Sequence, residues 1–351
     1  MRAPRTVSGA ANVRALAAGE EEARWDRFVR ETPGGTFCHL SGWGRLVEDV
    51  LGHRTHRLVA ESSGEIRGVL PLGHVKTRLF GAALISCPFL VYGGAVAADE
   101  EARAALEARA RDLAESLDVG YLELRYRDAP TDEPPQKDLY VAFRKTIAAD
   151  AEENLKAIPR KQRAMVRKGM QAGLDARVDA DVGTFYGLHA ESVRNLGTPV
   201  LPMRWFAAIA GVFGRDCEVL TIRHRGEPVA SVMSFYFGDE VLPYYAGGGP
   251  AARDLKANDF MYWELMRRAG ERGIRTFDYG RSKVGTGSYA FKKNWGFEPK
   301  TLPYRYHLVG ADTIPDLSPK NPKYELAVKL WQRLPLGLTL RLGPPIARGL
   351  G

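Results

Sequence analysis

At 351 residues, 45% hydrophobic and 26% charged, the chain has the composition of a globular protein and exceeds the usual single-domain size, so two domains of roughly 100 to 200 residues are expected. A net charge of +8 favours an anionic partner such as tRNA, a nucleotide, a phospholipid face or an acidic glycan, and selects none of them. Three scattered cysteines (Cys38, Cys87, Cys217), without a CxxC pair or His/Cys cluster, exclude a disulfide framework and a structural zinc, and no window reaches the roughly 18 apolar residues of a membrane span, so a cytoplasmic location is expected.

Residues 1–19 form a polar N-terminal segment without a continuous apolar core of a signal peptide. Trp25, Phe28 and Val29 within Glu20–Arg30, and Trp43, Leu46, Val47 and Val50 within Ser41–Leu51, have helical spacing and predict two core-facing helices. Arg57–Glu61 and Glu65–Leu72 read as a β-hairpin around Ser62-Ser63-Gly64. Leu84–Val91 reads as a strand closed by Tyr92-Gly93-Gly94, Asp99–Leu117 as a helix, Tyr121–Arg125 as a strand, Thr131–Lys137 as a loop and Leu139–Phe143 as a strand.

A second unit repeats the first in outline. Phe185–Asn195 and Arg204–Phe213 read as paired helices, Val219–Arg223 and Pro228–Phe237 as a hairpin, and Phe260–Arg272 as the long helix. The Gly64-Glu65 turn recurs at Gly226-Glu227, the aromatic-glycine strand end at Tyr244–Gly248, and Gly120-Tyr-Leu-Glu-Leu at Gly273–Tyr279, with offsets of 162, 153 and 153 residues. This pattern predicts a tandem duplication of one α/β unit.

Between the units, LKAIPRKQRAMVRKG (Leu155–Gly169) has Pro159 where a first helical turn accepts it, and Arg160, Arg163 and Arg167 at i, i+3 and i+7 on one face. It reads either as a solvated basic helix or as a phosphate-binding face. The most unusual stretch is FDYGRSKVGTGSYAFKKNWGF (Phe277–Phe297), a short strand, a loop spaced by Gly280, Gly285 and Gly287, then an aromatic-lysine block. Arg281, Lys283, Lys292 and Lys293 lie among Tyr279, Tyr289, Phe291, Trp295 and Phe297. Such a tract is either a site for an anionic ligand or a basic turn over an aromatic minicore. It has no counterpart in the first unit, so the second unit is expected to carry the chemistry and the first to shape the acceptor cleft. The end of the chain, residues 311–351, belongs to neither unit. Its segment Tyr324–Leu334 is amphipathic, with Leu326, Leu330 and Trp331 against Lys323, Lys329 and Arg333, and continues through Leu336 to Pro345. It reads either as a tail packed across its own domain or as a peripheral contact with the anionic inner face of a membrane.

These segments together resemble the FemAB-like branch of the GNAT acyltransferase superfamily, in particular FemAB-like proteins associated with PEP-CTERM/exosortase exopolysaccharide systems. The likeness rests on the basic helix, on YYAGGGPAARDLKANDFMYWELMRRAGERG and on the Phe277–Phe297 tract, and covers most of residues 20–310. It implies an α/β (α+β) fold of two tandem GNAT-like units, each a mixed sheet flanked by helices, at 20–150 and 151–310. It also implies an N-acyltransferase or aminoacyltransferase acting on an amine of a cell-envelope or exopolysaccharide precursor, the acceptor being an anionic small molecule or a lipid-linked glycan or peptide. By the resemblance Lys292, beside Phe291, is the catalytic cation, with Asp278 or Tyr279 as proton acceptor. Arg160, Arg163, Arg167, Tyr245, Arg253, Arg281, Lys283, Tyr289 and Lys293 are expected on substrate, and Gly247, Gly248 and Gly249 at the donor's pyrophosphate. No tightly bound cofactor and no metal is expected; the donor is acyl-CoA or aminoacyl-tRNA. The glycine tract lacks the usual Q/R-x-x-G-x-G/A spacing for CoA, and the helical hairpin that some Fem enzymes use for tRNA is missing, so the donor stays open. Alternatives are an acyl-CoA-dependent transferase for a small amine, and a non-catalytic scaffold for an anionic glycan or nucleic acid.

Overall fold

The computed structural model describes residues 12–16, 20–77, 80–128, 139–314 and 324–351. The chain forms two compact units, Met1–Gln136 with Pro303–Ile314 and Gly351, and Lys137–Leu302 with Pro315–Leu350. The expected loop at 131–137 and Lys323 lie outside the described residues.

The first unit runs β1 (Asn12–Ala15), α1 (Glu20–Glu31), α2 (Gly42–Leu51), β2 (Arg54–Ser62), β3 (Glu65–Thr77), β4 (Gly81–Ser86), β5 (Val96–Ala97), α3 (Glu100–Ser116) and β6 (Tyr121–Arg125). Trp25 and Val29 of α1, with Trp43, Leu46 and Val47 of α2, are buried as their spacing requires. Ser63 and Gly64 turn the β2–β3 hairpin with φ of 52° and 81°, the left-handed pair that a two-residue connection needs. Asp99 caps α3 by accepting from the Ala102 N–H at 2.8 Å. The expected strand Leu84–Val91 ends earlier, at Ser86, because Cys87 (φ 44°) and Phe89 (φ 69°) leave the extended region.

The second unit runs β7 (Tyr140–Thr146), α4 (Ala151–Ala157), α5 (Arg160–Gln171), β8 (Leu174–Val178), α6 (Gly183–Asn195), α7 (Met203–Phe213), β9 (Cys217–His224), β10 (Glu227–Phe237), β11 (Glu240–Gly248), α8 (Ala257–Glu271), β12 (Thr276–Lys283), α9 (Gly287–Asn294) and β13 (Pro299–Thr301). β14 (Tyr304–Leu308) then joins the first unit, and α10 (Glu325–Arg333) and α11 (Leu336–Ala347) belong to the second. Pro159 caps the start of α5 and separates it from α4, and Pro335 separates α10 from α11 in the same way, so the tail is two helices rather than one.

Both sheets have one plan. The first is ordered β1-β2-β3-β4-β6-β14, with β5 on β3, and among the described residues its one parallel pair is β4–β6. The second is ordered β8-β9-β10-β11-β12-β7-β13, with β11–β12 as its one parallel pair among the described residues. The six strands β1-β2-β3-β4-β6-β14 match β8-β9-β10-β11-β12-β7 in order, β5 and β13 being additions without a counterpart among the described residues, and the chain has two tandem α/β units, each a mixed sheet with helices, as expected. The units divide at other points than 150 and 310, because the strand beside each last parallel strand is exchanged in sequence. β12 is covered by β7, which precedes the second unit's helices, and β6 by β14, which follows β13. The second unit's core gathers Phe143, Val166, Val232, Met261, Leu265, Phe277, Tyr279, Trp295 and Phe297. That of the first gathers Leu58, Leu70, Leu84, Leu106, Leu122 and Tyr126.

Candidate active site

The chemistry-bearing tract starts where two parallel strands part. β11 and β12 pair only at Glu240 with Thr276 and Val241 with Phe277, whereas β11 continues against β10 as far as Gly248. Beyond Val241 the two central strands diverge, which opens a wedge inside the sheet. β12 is also irregular against β7, its register shifting between Asp278 and Arg281. Gly280 occupies that bulge at φ 64°, and a Cβ there would lie 3.4 Å from Leu242 Cδ1 across the wedge.

Lys292 fastens the bulge. The tract after the glycines is a helix, α9, capped by the Thr286 hydroxyl, which accepts from the Tyr289 N–H at 3.3 Å. From α9 the Lys292 ammonium donates to the carbonyl oxygens of Tyr279 at 2.6 Å, Arg281 at 3.1 Å and Gly280 at 3.4 Å. Its three N–H groups thus meet three successive carbonyls. Burial pulls its pKa down to about 8, a fall deepened by Arg281 and opposed by Asp278. Asp278 works from the other side. Its Oδ1 accepts from the Gly280 N–H at 2.7 Å, and Arg144 Nε stands 3.2 Å from Oδ2 as an ion pair. Arg144 also bonds Glu240 on β11.

Around Lys292 the rings form one cluster. Tyr279 stands edge-on to Tyr262, Phe277 and Phe297 at centroid separations of 5.0, 4.9 and 4.7 Å, and Phe291 lies 5.6 Å from Tyr262. Burial pushes the Tyr279 phenol well up, and its hydroxyl has no hydrogen-bond partner among the described residues. Beside it the buried Asp259 accepts from Trp295 Nε1 at 3.3 Å and from the Gln162 amide, and burial raises its pKa. Sequence reasoning missed Gln162, Asp259, Tyr262 and Arg144. Gln162, Val166 and Gly169 do fall at i, i+4 and i+7, and this is the face that α5 lays on α8, a Cβ on Gly169 coming 2.8 Å from Phe260 Cβ. The three arginines therefore occupy the opposite face, Arg160 and Arg167 exposed and Arg163 half-buried with a bond to the Lys156 carbonyl at 3.4 Å.

The remaining expected residues spread along the sheet. Arg281 covers the Tyr140 ring at 4.4 Å, Tyr289 meets Phe143 edge-on at 5.4 Å, Lys283 is half-buried and Lys293 exposed. Tyr245 sits in a second aromatic group on β11, its hydroxyl accepting from Trp205 Nε1 at 3.2 Å, with Phe206 and His189 against its ring. His189, which sequence reasoning passed over, bonds the Ala246 carbonyl through Nδ1 at 3.0 Å, and burial lowers its pKa to about 4, so it is neutral. The glycines have internal work. A Cβ on Gly247 would lie 2.4 Å from the Leu188 carbonyl oxygen of α6, the Gly248 N–H donates to Ser192 Oγ at 2.8 Å, and the Gly249 N–H to the Val229 carbonyl at 2.9 Å. Those two N–H groups already have protein partners in place of a pyrophosphate. Arg253 is exposed in the turn before α8. Lys292, Phe291, Asp278, Tyr279, Arg281 and Tyr289 thus gather around β12, while Tyr245 and the glycines lie along β11. Among the described residues no group of three or more His, Cys, Asp or Glu side chains is arranged to hold a metal ion.

Residues 154–293 match a protein family described as acetyltransferase (GNAT) domain. The fold is similar to that of a solved structure of FemX, with a TM-score of 0.66 and 16% identity over 90% of this chain and all of that one. It is also similar to the C-terminal domain of a putative lysylphosphatidylglycerol synthetase from Agrobacterium fabrum (TM-score 0.54, 14% identity, 83% of this chain and 92% of that). A tandem GNAT protein from the clavulanic acid biosynthesis pathway matches with a TM-score of 0.51 and 14% identity, over 86% of this chain and all of that one. No curated protein sequence matches. The chain thus carries a GNAT acetyltransferase domain match at residues 154–293, set within two tandem α/β units whose fold is similar to that of FemX and of a tandem GNAT protein.

Proposed function

We propose that this chain is an N-acyltransferase that moves an acyl or aminoacyl group onto an amine of a cell-envelope or exopolysaccharide precursor. The observation that carries the reading is the wedge that opens where β11 parts from β12 beyond Val241, inside the residues matched by the acetyltransferase (GNAT) family and beside the cluster of Lys292, Asp278 and Tyr279. A C–N bond forms as the donor's C–S or C–O bond breaks, and the amine's proton passes to the leaving thiol or hydroxyl. A hydrogen-bond donor positioned at the donor carbonyl would stabilise the tetrahedral oxyanion, an effect on the order of 3 kcal/mol for one such group. Lys292, with its N–H groups engaged, supports this by holding the β12 wall, and Asp278 holds the same wall from its other side. The exposed cations of α5, Arg160, Lys161, Arg167 and Lys168, suit an acceptor carrying phosphate or carboxylate groups.

Two donors share this chemistry. A CoA thioester is favoured by the family matched at 154–293, and an aminoacyl ester by the wider likeness of fold to FemX and to the synthetase domain. Thermal shift of the purified chain with acetyl-CoA, a long-chain acyl-CoA and charged tRNA distinguishes them, as saturable stabilisation is expected from one donor class and follows its Kd. Stabilisation by none of the three, together with no acyl transfer to any amine acceptor, sinks the proposal in favour of a scaffold role.

A further inference from the structure

We infer that α10 and α11 are an interfacial anchor that lays this chain on the surface of an anionic lipid bilayer. Both helices are amphipathic the wrong way round for a packed tail. α11 turns Thr339, Gly343 and Ala347, at i, i+4 and i+8, into the protein; Thr339 is 2% exposed, and a Cβ on Gly343 would lie 3.2 Å from the Val200 backbone. Leu338 and Leu342 look outward instead, 41% and 46% exposed, while Leu336 and Leu340 are half-buried. α10 rests on the end of α6 through Val328 against Gly197 and through Gln332, which donates to the Asn195 carbonyl at 3.0 Å. On its far side Leu326 and Leu330, one turn apart, are 81% and 62% exposed. Leu196, at the C-terminal end of α6 beside this contact, is 70% exposed. Packing within the domain therefore leaves Leu326, Leu330, Leu338 and Leu342 in water, an arrangement the hydrophobic effect rewards only when something apolar covers them.

Charge identifies the cover. Lys329, Arg333 and Arg341 are interleaved with the leucines, and Glu325 is the single acid between residues 325 and 347. Leucines at acyl depth with cations at headgroup level match an anionic bilayer surface. A second copy of this chain, at +8, would bring like charges together across the same face. No described helix is long and apolar enough to cross a membrane, so these helices lie along the surface. The inference is independent of the acyl-transfer reading.

The test is co-sedimentation of the full chain with vesicles of equal parts phosphatidylglycerol and phosphatidylcholine, and with phosphatidylcholine alone. Binding to the anionic vesicles that weakens with added salt is expected, with about tenfold loss in Leu326→Ser/Leu330→Ser and in Leu338→Ser/Leu342→Ser at unchanged Tm. Arg333→Glu/Arg341→Glu, which leaves the apolar face intact, should lose binding to the anionic vesicles alone. Absence of binding by the parent chain, or serine and glutamate variants that bind as it does, overturns the inference. So does a dimer of the parent chain in sedimentation that the serine variants dissociate, which would assign the face to a second copy.

Discussion

Lys292 donates to three carbonyl oxygens of one strand bulge from a half-buried position, which makes it a fastener with a measurable signature. Removing it leaves those acceptors without their charged donor, and Lys292→Met should cost about 2 kcal/mol at pH 7. Its pKa is held at about 8 against an ordinary 10.5, so between those values the unfolded chain binds a proton that the folded chain does not. Stability of the parent relative to Lys292→Met therefore rises with pH over that window. Chemical denaturation of both proteins at pH 7 and pH 10 should show the gap widening, and a gap that narrows would mean that the folded chain favours the ammonium. That Lys292 and its neighbours gather in one cluster was legible in the crowding of cations and rings in one tract. Its partners were not, because Tyr279, Gly280 and Arg281 receive it through main-chain oxygens, and every residue type carries those.

At the scale of elements, the position of β11 is set by how closely α6 approaches it. Gly247 is the contact: a methyl there meets the Leu188 carbonyl oxygen at 2.4 Å and His189 Cα at 2.5 Å, both of them backbone and unable to rotate away. Gly247→Ala should destabilise by about 3 kcal/mol, at the upper end for overpacking, and weaken donor stabilisation in the thermal-shift assay. An unchanged Tm would show that α6 is free to move outward. In the sequence the glycine triplet reads as an anion cradle, since glycine lets a ligand approach as readily as it lets a helix approach. The helix spacing of α6, α7 and α8 was visible as periodic burial, and all three form close to their expected bounds. The Phe291-Lys292 block read as part of a loop, because eight residues holding two aromatics and two lysines have little periodicity, yet Thr286 caps it into a helix.

At the scale of the molecule, the exchanged strands bear on how the chain can be cut. Phe143 of β7 is fully buried in the second unit's core, and β7 pairs with both β12 and β13. A fragment of residues 137–351 keeps β7 and should melt cooperatively, whereas 151–351 opens the flank of β12 and should lack a cooperative transition by circular dichroism. Equal cooperativity in both fragments would show that β7 is dispensable. The duplication itself was readable in the sequence from turn glycines and helix-glycine-strand junctions that recur, because local turn chemistry and periodicity are written in adjacent residues, whereas Tyr92-Gly93-Gly94 lies past the end of β4 and matches Tyr244–Gly248 in sequence alone. By itself the sequence thus determined two α/β units, their order of helices and hairpins, and the tract where charge and aromatic residues concentrate. Which strand closes each sheet, where β11 parts from β12, and which side of α10 and α11 meets the protein were decided only in three dimensions. Each depends on pairing or packing between residues distant in the chain, and a local pattern of apolar spacing satisfies more than one such arrangement.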